Sequence, residues 1–494
     1  MITDFDGSGP LKVTIGSLPD EVLLEVFTFY MEDAYQEEWI ILVHVCGGWR
    51  HIVFTSPLRL DLQLCVQGKT HVRKLLEIWP ALPIVIRPNS RRWCSIPKVM
   101  ENVIAALQHR DCVRRVILHD FRVPDRKLKV FLELMQHPFP TLTMLELWKW
   151  SNKEAAVISD SFLGGSAPLL QSLALSHVAF PGLPKLLLSA SHLVLLDLGN
   201  IPLAGYISPE VMVASLSSMT QLRYFGLAFD SPPSRPSRES RRPPMIRTAL
   251  PALTRCLLQA DSEYVEDFVA RIDAPLLHDI EISFFYQALF DIPQLSQFIN
   301  RVESFNKRNA TISFLNRDAS VVFSSESDGY LMLRFLCNHA NRQLSSVAQL
   351  CGMSLRPIST SENLIVTIDS DNPQHFGQSD IEHSQWEEIL YPFTNVKNIF
   401  LDEDVGLHIT TVLQGLVIER VTQVLPTLLS LFIKGLQSAG PTRKAAESFV
   451  AARQRFGHPV AIHRWEEESD TEYIPDDSEQ ELDSEWESDS EVND

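Results

Sequence analysis

The amino-acid sequence predicts an α/β fold, most of it a solenoid of stacked strand-and-helix units. Three observations predict it: an apolar spacing that recurs along the chain, a short N-terminal stretch with helical periodicity, and an abrupt change of composition near the C-terminus. The predicted segments of the 494 residues are a disordered N-terminus at 1–14, a helical domain at 15–57, the solenoid at 58–465 with a mobile insert at 231–247, and a disordered acidic tail at 466–494.

The first predicted helix begins near Ser17, whose hydroxyl can cap its backbone donors. Pro19 needs no donor in the first turn, and the following Asp20 and Glu21 face the positive end of the helix dipole. Its apolar residues then recur at helical spacing: Val22, Leu23, Val26, Phe27 and Tyr30.

Two further short helices are predicted before residue 58. The second carries another apolar set at helical spacing: Trp39, Leu42, Val43 and Cys46. Gly47-Gly48 predicts the end of this helix, and Trp49, Ile52 and Val53 predict a third that stops at Pro57.

A stretch of about 40 residues rarely buries so many apolar side chains by itself, so another protein is expected to cover part of this surface. The order Leu18-Pro19, an acidic pair, an apolar helix and then Val45-Cys46-x-x-Trp49-Arg50 resembles the F-box family. The resemblance implies docking on a Skp-type adaptor and, through it, on a cullin. Adaptor binding would fall to Leu18, Pro19, Leu23, Phe27, Cys46 and Trp49. The alternative is an ordinary helical cap in which these side chains are all core.

Strands and helices then alternate along the chain. Residues 60–66 and 84–86 have strand character, and residues 72–79 and 96–108 have helical periodicity. From here a pattern of three apolar residues, separated by two positions and then one, recurs nine times. It begins at residues 113, 142, 170, 193, 222, 253, 277, 396 and 428.

Between residues 113 and 277 the starts of this pattern are 23 to 31 residues apart, close to the period of leucine-rich repeats. One such unit cannot cover its own apolar edge, so the units are expected to stack. Over most of its length the chain resembles fungal F-box-like proteins with irregular leucine-rich repeats. An ordinary α/β sheet is the alternative.

The repeat pattern is irregular in two respects. The Asn or Cys expected after each short strand is replaced by Val178, Ile201, Asp230 and Phe285, so the usual asparagine ladder is predicted to be missing. Between 283 and 395 the spacing fades, although 311–314, 321–323 and 364–368 retain strand character.

The insert at 231–244 holds five prolines, four arginines, one glutamate and no apolar side chain, which predicts a mobile loop. A docking site for an acidic or phosphorylated partner is the alternative there. A helix at 441–456 and a strand at 460–463 are predicted to cap the last repeat.

Charge is concentrated at one end of the chain. Residues 466–494 contain fifteen acidic residues and no basic one, which predicts a disordered, solubilising tail. Serines with an acid three residues later make acid-directed phosphorylation the alternative role. The formal charge of the other 465 residues is −4 against −19 for the whole, so no nucleic-acid partner is expected.

The seven cysteines form no C-x-x-C pair and no Cys/His ligand set, which predicts no metal site and a reducing compartment, the cytoplasm, the nucleus or both. The N-terminal residues lack the features of a secretory signal. The only long uncharged window, 161–184, is interrupted by glycine and proline, so no membrane span is expected.

Phosphate-binding glycine loops, nucleophile elbows and H-E-x-x-H pairs are absent from the sequence, so neither catalysis nor a cofactor is expected. His44, Cys46 and His51 lie close together, but Cys46 is predicted on the apolar stripe of a helix, where a buried thiol is unreactive. A hydrolase on an α/β sheet is an alternative that requires a converging Ser or Cys, His and carboxylate.

Together with the absence of catalytic motifs, the F-box resemblance implies a non-catalytic substrate-recognition subunit of a Skp/cullin/F-box ubiquitin ligase with an unknown protein substrate. Side chains between the repeat leucines are expected to line one face and bind that substrate. The candidates are Trp148, Trp150, His177, Asp197, Asp230, Glu281 and Asp402. A non-ligase leucine-rich-repeat scaffold is the alternative.

Overall fold

The computed structural model describes residues 15, 18–33, 39–57, 60, 62–66, 72–78, 82–87, 97–118, 125–148, 156–232, 247–287, 290–305, 307–325, 329–368, 380–416 and 420–466. The predictions of a disordered N-terminus at 1–14 and a disordered tail, except for Glu466, lie outside these residues. So does most of the predicted mobile insert, 233–246, together with Trp150.

Three short helices open the described chain: α1, Asp20–Asp33; α2, Trp39–Val45; and α3, Gly47–Thr55. They surround a hydrophobic cluster separate from that of the sheet, which includes Leu23, Phe27, Trp39, Val43 and Val53 and is completed by Leu60, Leu62 and Leu82 from the chain after α3. The indole N–H of Trp39 donates to the carbonyl of Gln63 at 2.9 Å, so this cluster is tied to the chain that follows it.

The glycine pair does not end the second helix, as the sequence predicted, but begins the third. Cys46 lies between the helices in an extended conformation, with φ −158°, and its Sγ accepts the backbone N–H of Trp49 at 3.4 Å. The cysteine therefore takes the capping role that Ser, Thr or Asp usually fills, and the prediction failed because thiols are rare caps.

The strands are β1 Leu64–Val66, β2 Ile84–Ile86, β3 Val113–Leu118, β4 Met144–Trp148, β5 Ala156–Val157, β6 Ser172–Ser176, β7 Val178–Ala179, β8 Leu195–Ile201, β9 Tyr224–Phe229, β10 Thr248–Ala249, β11 Arg255–Ala260, β12 Ile272–Asp273, β13 Asp279–Phe285, β14 Asn309–Phe314, β15 Asp318–Ser324, β16 Tyr330–Leu336, β17 Asn363–Ile368, β18 Asn398–Leu401, β19 Ser430–Lys434 and β20 Ala461–Trp465.

The remaining helices are α4 Val72–Ile78, α5 Pro97–Leu107, α6 Asp125–Leu134, α7 Leu183–Leu187, α8 Pro209–Leu216, α9 Ser262–Val269, α10 Pro293–Arg301, α11 Ala340–Cys351, α12 Arg356–Thr360, α13 Asp380–Leu390, α14 Glu403–Gly415, α15 Arg420–Gln423 and α16 Pro441–Arg455.

In the described chain, sixteen strands form one sheet in the order β1-β2-β3-β4-β6-β8-β9-β11-β13-β16-β15-β14-β17-β18-β19-β20. Strands β5 and β7, and strands β10 and β12, form two small separate pairs. Nearly all neighbours in the long sheet are parallel, and each of the nine repeats of the apolar spacing coincides with one of its strands. The fold is therefore mixed α/β with a long parallel sheet, which is consistent with a leucine-rich-repeat-like solenoid.

Strand register places the repeat leucines in rows. Leu145, Leu173, Leu196 and Phe225 are partners on successive strands, and all four are buried. Because side chains alternate along a strand, the residue after each of them points to the opposite face of the sheet. One face of the sheet is thus fixed by core packing, and the other is left available.

The region where the repeat spacing fades contains the only described antiparallel pairings of the long sheet. β15 pairs antiparallel with both β14 and β16, and β14 pairs parallel with β17. After β13 the chain therefore passes two positions of the sheet to form β14, and β15 and β16 then fill those two positions. The next strand, β17, lies on the other side of β14. The sequence had predicted strands near β14, β15 and β17, but not β16.

An asparagine ladder is present, although not at the position expected after each strand. Asn363 Nδ2 donates to Asn309 Oδ1 at 2.8 Å, and Asn398 Nδ2 donates to Asn363 Oδ1 at 2.9 Å. These residues begin β14, β17 and β18, so the ladder links strand side chains rather than the turns behind the sheet.

The last repeat is covered by α16 and completed by β20. Arg453 of α16 is fully buried, and its guanidinium donates to four main-chain carbonyls at 2.9 to 3.4 Å. They belong to Val421, Val424, Leu425 and Pro426. Burial lowers the pKa of Arg453. The arginine thereby satisfies carbonyls that the end of α15 and the turn after it leave without helical partners.

We predict that Arg453→Leu lowers the free energy of unfolding by roughly 3 kcal/mol, because buried carbonyls lose a charged donor. Urea denaturation followed by circular dichroism measures the change. Arg455→Leu is the matched control, since Arg455 is exposed in the same helical turn. Equal effects of the two substitutions would contradict the assigned role of Arg453.

Candidate protein-binding surfaces

The N-terminal helices expose large apolar side chains although they have a core of their own. On α1, Val22, Val26, Phe29 and Tyr30 are 38 to 67% exposed. Their spacing of four, seven and eight residues from Val22 places them on one face of the helix. On α2, Ile41 and Val45 are 57% and 55% exposed and lie one turn apart. We call these six residues the helical stripes.

The six residues with predicted adaptor contacts occupy different environments. Leu23 and Phe27 are buried in the helical cluster, and Leu18 and Trp49 pack partly against it. The rings of Phe27 and Trp49 lie 4.7 Å apart. Pro19 and Cys46 are exposed. Leu23, Phe27 and Trp49 thus shape the cluster from within, and Pro19 and Cys46 are accessible.

Exposure of Cys46 corrects the prediction that its thiol lies buried on the apolar stripe of a helix. Its sulfur is used as the helix cap described above. The sequence singled out part of the exposed surface through Val22, Val26, Tyr30 and Val45, but not Phe29 or Ile41. Helical spacing from Val22 and Val45 was the signal that could have found both.

The open face of the sheet carries acidic side chains along its N-terminal half. Successive strands place Glu146, Ala174, Asp197, Gly226, Leu257 and Glu281 in one register row. Alanine and glycine flank Asp197, so its carboxylate lies in a shallow notch. A Cβ on Gly226 would lie 2.4 Å from Asp197 Oδ1, which shows that the carboxylate lies directly over the glycine.

Asp197 is held in an unfavourable electrostatic environment. Burial raises the pKa of its carboxyl, and the nearby charge of Glu146 raises it further. Within the described part of the chain, Asp197 accepts no hydrogen bond and has no ion-pair partner. By contrast, Glu281 has the Arg334 guanidinium at 3.4 Å. A cation brought to the notch would relieve this carboxylate.

The pKa of Tyr224 is raised to about 12, chiefly by burial and then by the charge of Asp197. Tyr224 therefore stays neutral, and its ring borders the notch on β9, where the Cβ built on Gly226 would lie 3.1 Å from Cε1. The Arg255 guanidinium lies 5.8 Å from the centre of the same ring.

The other candidates for substrate contact are distributed over three settings. Trp148, partly buried, lies on the same face as Glu146 two residues earlier. His177 and Asp230 follow the ends of β6 and β9. Asp402 caps α14 by accepting the Glu403 N–H at 2.8 Å. Lys434 lies 3.9 Å from the Asp402 carboxylate.

One serine and histidine do meet. Ser176 Oγ lies 2.9 Å from His177 Nδ1, and Asn200 Nδ2 donates to the same hydroxyl at 3.4 Å. Ser176 is only 3% exposed, and the third group is an amide rather than a carboxylate. His177 and Asn200 have φ values of +57° and +48°. These hydrogen bonds therefore connect the end of β6 to the end of β8, at two residues whose backbone is left-handed.

The C-terminal half of the open face is aromatic. Phe400 and Phe432 stack with centroids 4.6 Å apart, and Phe432 and His463 stack at 4.8 Å. Trp465 meets Phe400 edge-on at 5.7 Å. This row was not predicted from the sequence. Its signal was an aromatic residue between the repeat apolar residues, as in Ile399-Phe400-Leu401.

A groove of about 950 Å³ lies on the helical side, with α11 and α12 on one side and α13 and α15 on the other. Apolar Met353 and Tyr391 line it together with Arg356 and the bonded pair of Glu387 and Arg420. Across the residues described, no three His, Cys, Asp or Glu side chains are grouped to hold a metal ion. No described helix has the length and apolar character to cross a membrane.

No protein-family model and no curated protein matches the chain. Among solved structures the chain is similar to the leucine-rich repeat-containing protein LegL7 from Legionella pneumophila, with a TM-score of 0.25 and 9% sequence identity. The match covers 69% of this chain and 93% of that chain. The leucine-rich-repeat-like description of this chain therefore depends on its own strand register and repeat spacing.

We predict that Asp197→Asn raises the thermal midpoint at pH 7 but not near pH 4. A carboxyl whose pKa is raised on folding binds its proton more tightly in the folded state, so its contribution to stability falls as pH rises above the unfolded value of about 3.9. The amide side chain introduced by the substitution does not ionise, so the variant does not lose stability in this way as pH rises. Scanning fluorimetry from pH 4 to 7 measures the thermal midpoint. Asp230→Asn is the control for the same substitution at an exposed position. A pH-independent difference for Asp197→Asn would contradict the prediction.

Proposed function

We propose that the chain is the substrate-recognition subunit of a Skp/cullin/F-box type ubiquitin ligase. The helical stripes support this proposal most strongly. They belong to a cluster whose core is distinct from that of the sheet, so a partner can cover them without disturbing the solenoid. The F-box resemblance of Leu18-Pro19 and Val45-Cys46-x-x-Trp49-Arg50 supplies the identity proposed for that partner, a Skp-type adaptor.

Exposed apolar side chains scattered singly are normal, but six on two adjacent helices of one small cluster suggest an interaction site. Phe29, at 67%, and Ile41, at 57%, are the most exposed of the six. Aromatic residues such as Phe29 are enriched in protein interfaces, where a few side chains carry most of the binding energy. We therefore assign adaptor contact to the helical stripes and to exposed Pro19, with Phe27 and Trp49 packed behind them.

The open face of the sheet is the proposed site for the protein substrate. Its acidic notch at Asp197 suits a basic group, and its aromatic row suits an apolar one. Holding a substrate there would keep its lysines at high effective concentration near ubiquitin carried by another subunit. The chain would make and break no bond itself. The proposed setting is the cytoplasm, the nucleus or both.

We predict that Phe29→Asp weakens adaptor binding by roughly tenfold or more, because a buried apolar contact is replaced by a charge. Isothermal titration of purified adaptor into the full chain measures the affinity. Leu188→Asp is the matched control, since Leu188 is 61% exposed at the C-cap of α7 in the solenoid. Pro19→Ala is expected to weaken binding in the same direction.

Equal affinity for Phe29→Asp and Leu188→Asp would remove the helical stripes from the interface. Absence of measurable adaptor binding to the unaltered chain would overturn the proposal as a whole. Recovery of cullin together with adaptor separates a ligase subunit from a scaffold that binds adaptor for another purpose. Adaptor recovered without cullin would favour the scaffold.

A further inference from the structure

The strand β20 ends the long sheet within the described chain. It pairs with β19 on one side, and no described strand lies on its other side. The N–H of Ala461 donates to the Leu429 carbonyl at 2.8 Å. In a parallel ladder, the N–H and C=O of one residue point to the same neighbouring strand, and those of the next residue point the other way. Since Ala461 faces β19, the backbone groups of Ile462 and Arg464 face the open edge. The edge is therefore able to pair with an added strand.

Side chains on β20 also continue a regular stack. The centroid separations in the row Phe400, Phe432 and His463 are 4.6 and 4.8 Å, which equal the usual distance between neighbouring strands. The ring planes differ by only 10° and 23°. His463 is exposed, so the row ends on a free imidazole face. An added strand would place one of its own side chains against that face at the same spacing.

The sequence that directly follows β20 restricts what can pair with this strand. Arg464 Nε lies 3.6 Å from the Glu466 carboxylate, and fifteen acidic residues with no basic one occupy 466–494. A second copy of this chain would bring the same acidic sequence to the edge, where like charges repel. An extended segment carrying lysine or arginine would be attracted instead.

We propose that β20 binds an extended basic segment of another protein as an additional strand, with an aromatic side chain of that segment stacked on His463. Main-chain hydrogen bonds to Ile462 and Arg464 supply affinity, and the aromatic and basic side chains supply selectivity. The proposed binding surface is the open edge of the sheet and does not include the N-terminal helices. It does not depend on adaptor binding, so failure of either proposal leaves the other testable.

The test uses the full chain and a labelled seven-residue peptide in which four lysines alternate with valine, phenylalanine and valine. Fluorescence anisotropy is expected to show binding that weakens with added salt and falls about tenfold when alanine replaces phenylalanine. A peptide with glutamate in place of lysine is expected not to bind. Equal binding of the glutamate peptide would overturn the proposed occupant.

Backbone pairing is tested separately with N-methylated peptides. Methylating the amides of one alternate set of residues should abolish binding, and methylating the other set should leave it unchanged, because only one set faces β20. Equal binding of both methylated peptides would overturn strand addition. This comparison uses the unaltered protein and holds whether or not an edge variant folds.

Arg464→Pro removes a donor from the open edge while leaving the bonds to β19 in place, and proline is tolerated at such edge positions. Its affinity for the lysine peptide is expected to fall at least tenfold. Arg464→Ala is the matched control, which keeps the donor and should bind equally or more tightly. Unchanged affinity in Arg464→Pro would overturn the proposal, as would sedimentation showing a dimer that Arg464→Pro dissociates.

Discussion

Burial of one face of the parallel sheet is the constraint on which the rest of the structure depends. Leu145, Leu173, Leu196, Phe225 and Cys256 occupy one register row and are at most 2% exposed. Each such side chain contributes on the order of 2 kcal/mol when it leaves water. Burial also raises the pKa of Cys256 to about 12, so its thiol remains neutral within the row. Since the period along a strand is two, the intervening residues are forced onto the open face, whatever their chemistry.

A stack of this kind is vulnerable at its ends, where no neighbour covers the apolar edge. At the N-terminal end the three helices form a separate cluster, tied to the chain before the sheet by the Trp39 indole. At the C-terminal end Arg453 joins α16 to the turn before β19 through main-chain carbonyls. The N-terminal helices are held mainly by apolar packing, whereas α16 is also held by hydrogen bonds from Arg453 to main-chain carbonyls.

Much of the fold was accessible from the sequence because apolar periodicity reports burial directly. Each of the nine repeats of the spacing overlaps a strand, and the first helix begins at Asp20, close to the start predicted near Ser17. The sequence was less informative where another property decides the structure. The thiol of Cys46 caps a helix, which composition does not indicate, and the reversal through β15 and β16 depends on strand pairing rather than on spacing.

The candidate surfaces were predictable to a smaller extent, because exposure depends on what the rest of the chain covers. Asp197 and Trp148 were found by position between repeat leucines, and the structure places both on the open face. The stack of Phe400, Phe432 and His463 was missed, since aromatic residues in a strand are equally compatible with the core. Only the register of β18, β19 and β20 shows that these rings lie on the face away from the buried leucines.

The open face combines two chemistries that have different consequences for binding. Carboxylates at its N-terminal half act over several ångströms, weaken with salt and mainly select which partners approach. Stacked rings at its C-terminal half act only on contact and contribute to affinity once water is excluded. A substrate bound at this face as proposed would satisfy both with a basic and an apolar region, whereas the carboxylates would repel an acidic one. The carboxylates and the rings occupy different parts of one sheet, so a bound partner would have to match both. This arrangement favours selectivity rather than high affinity for either feature alone.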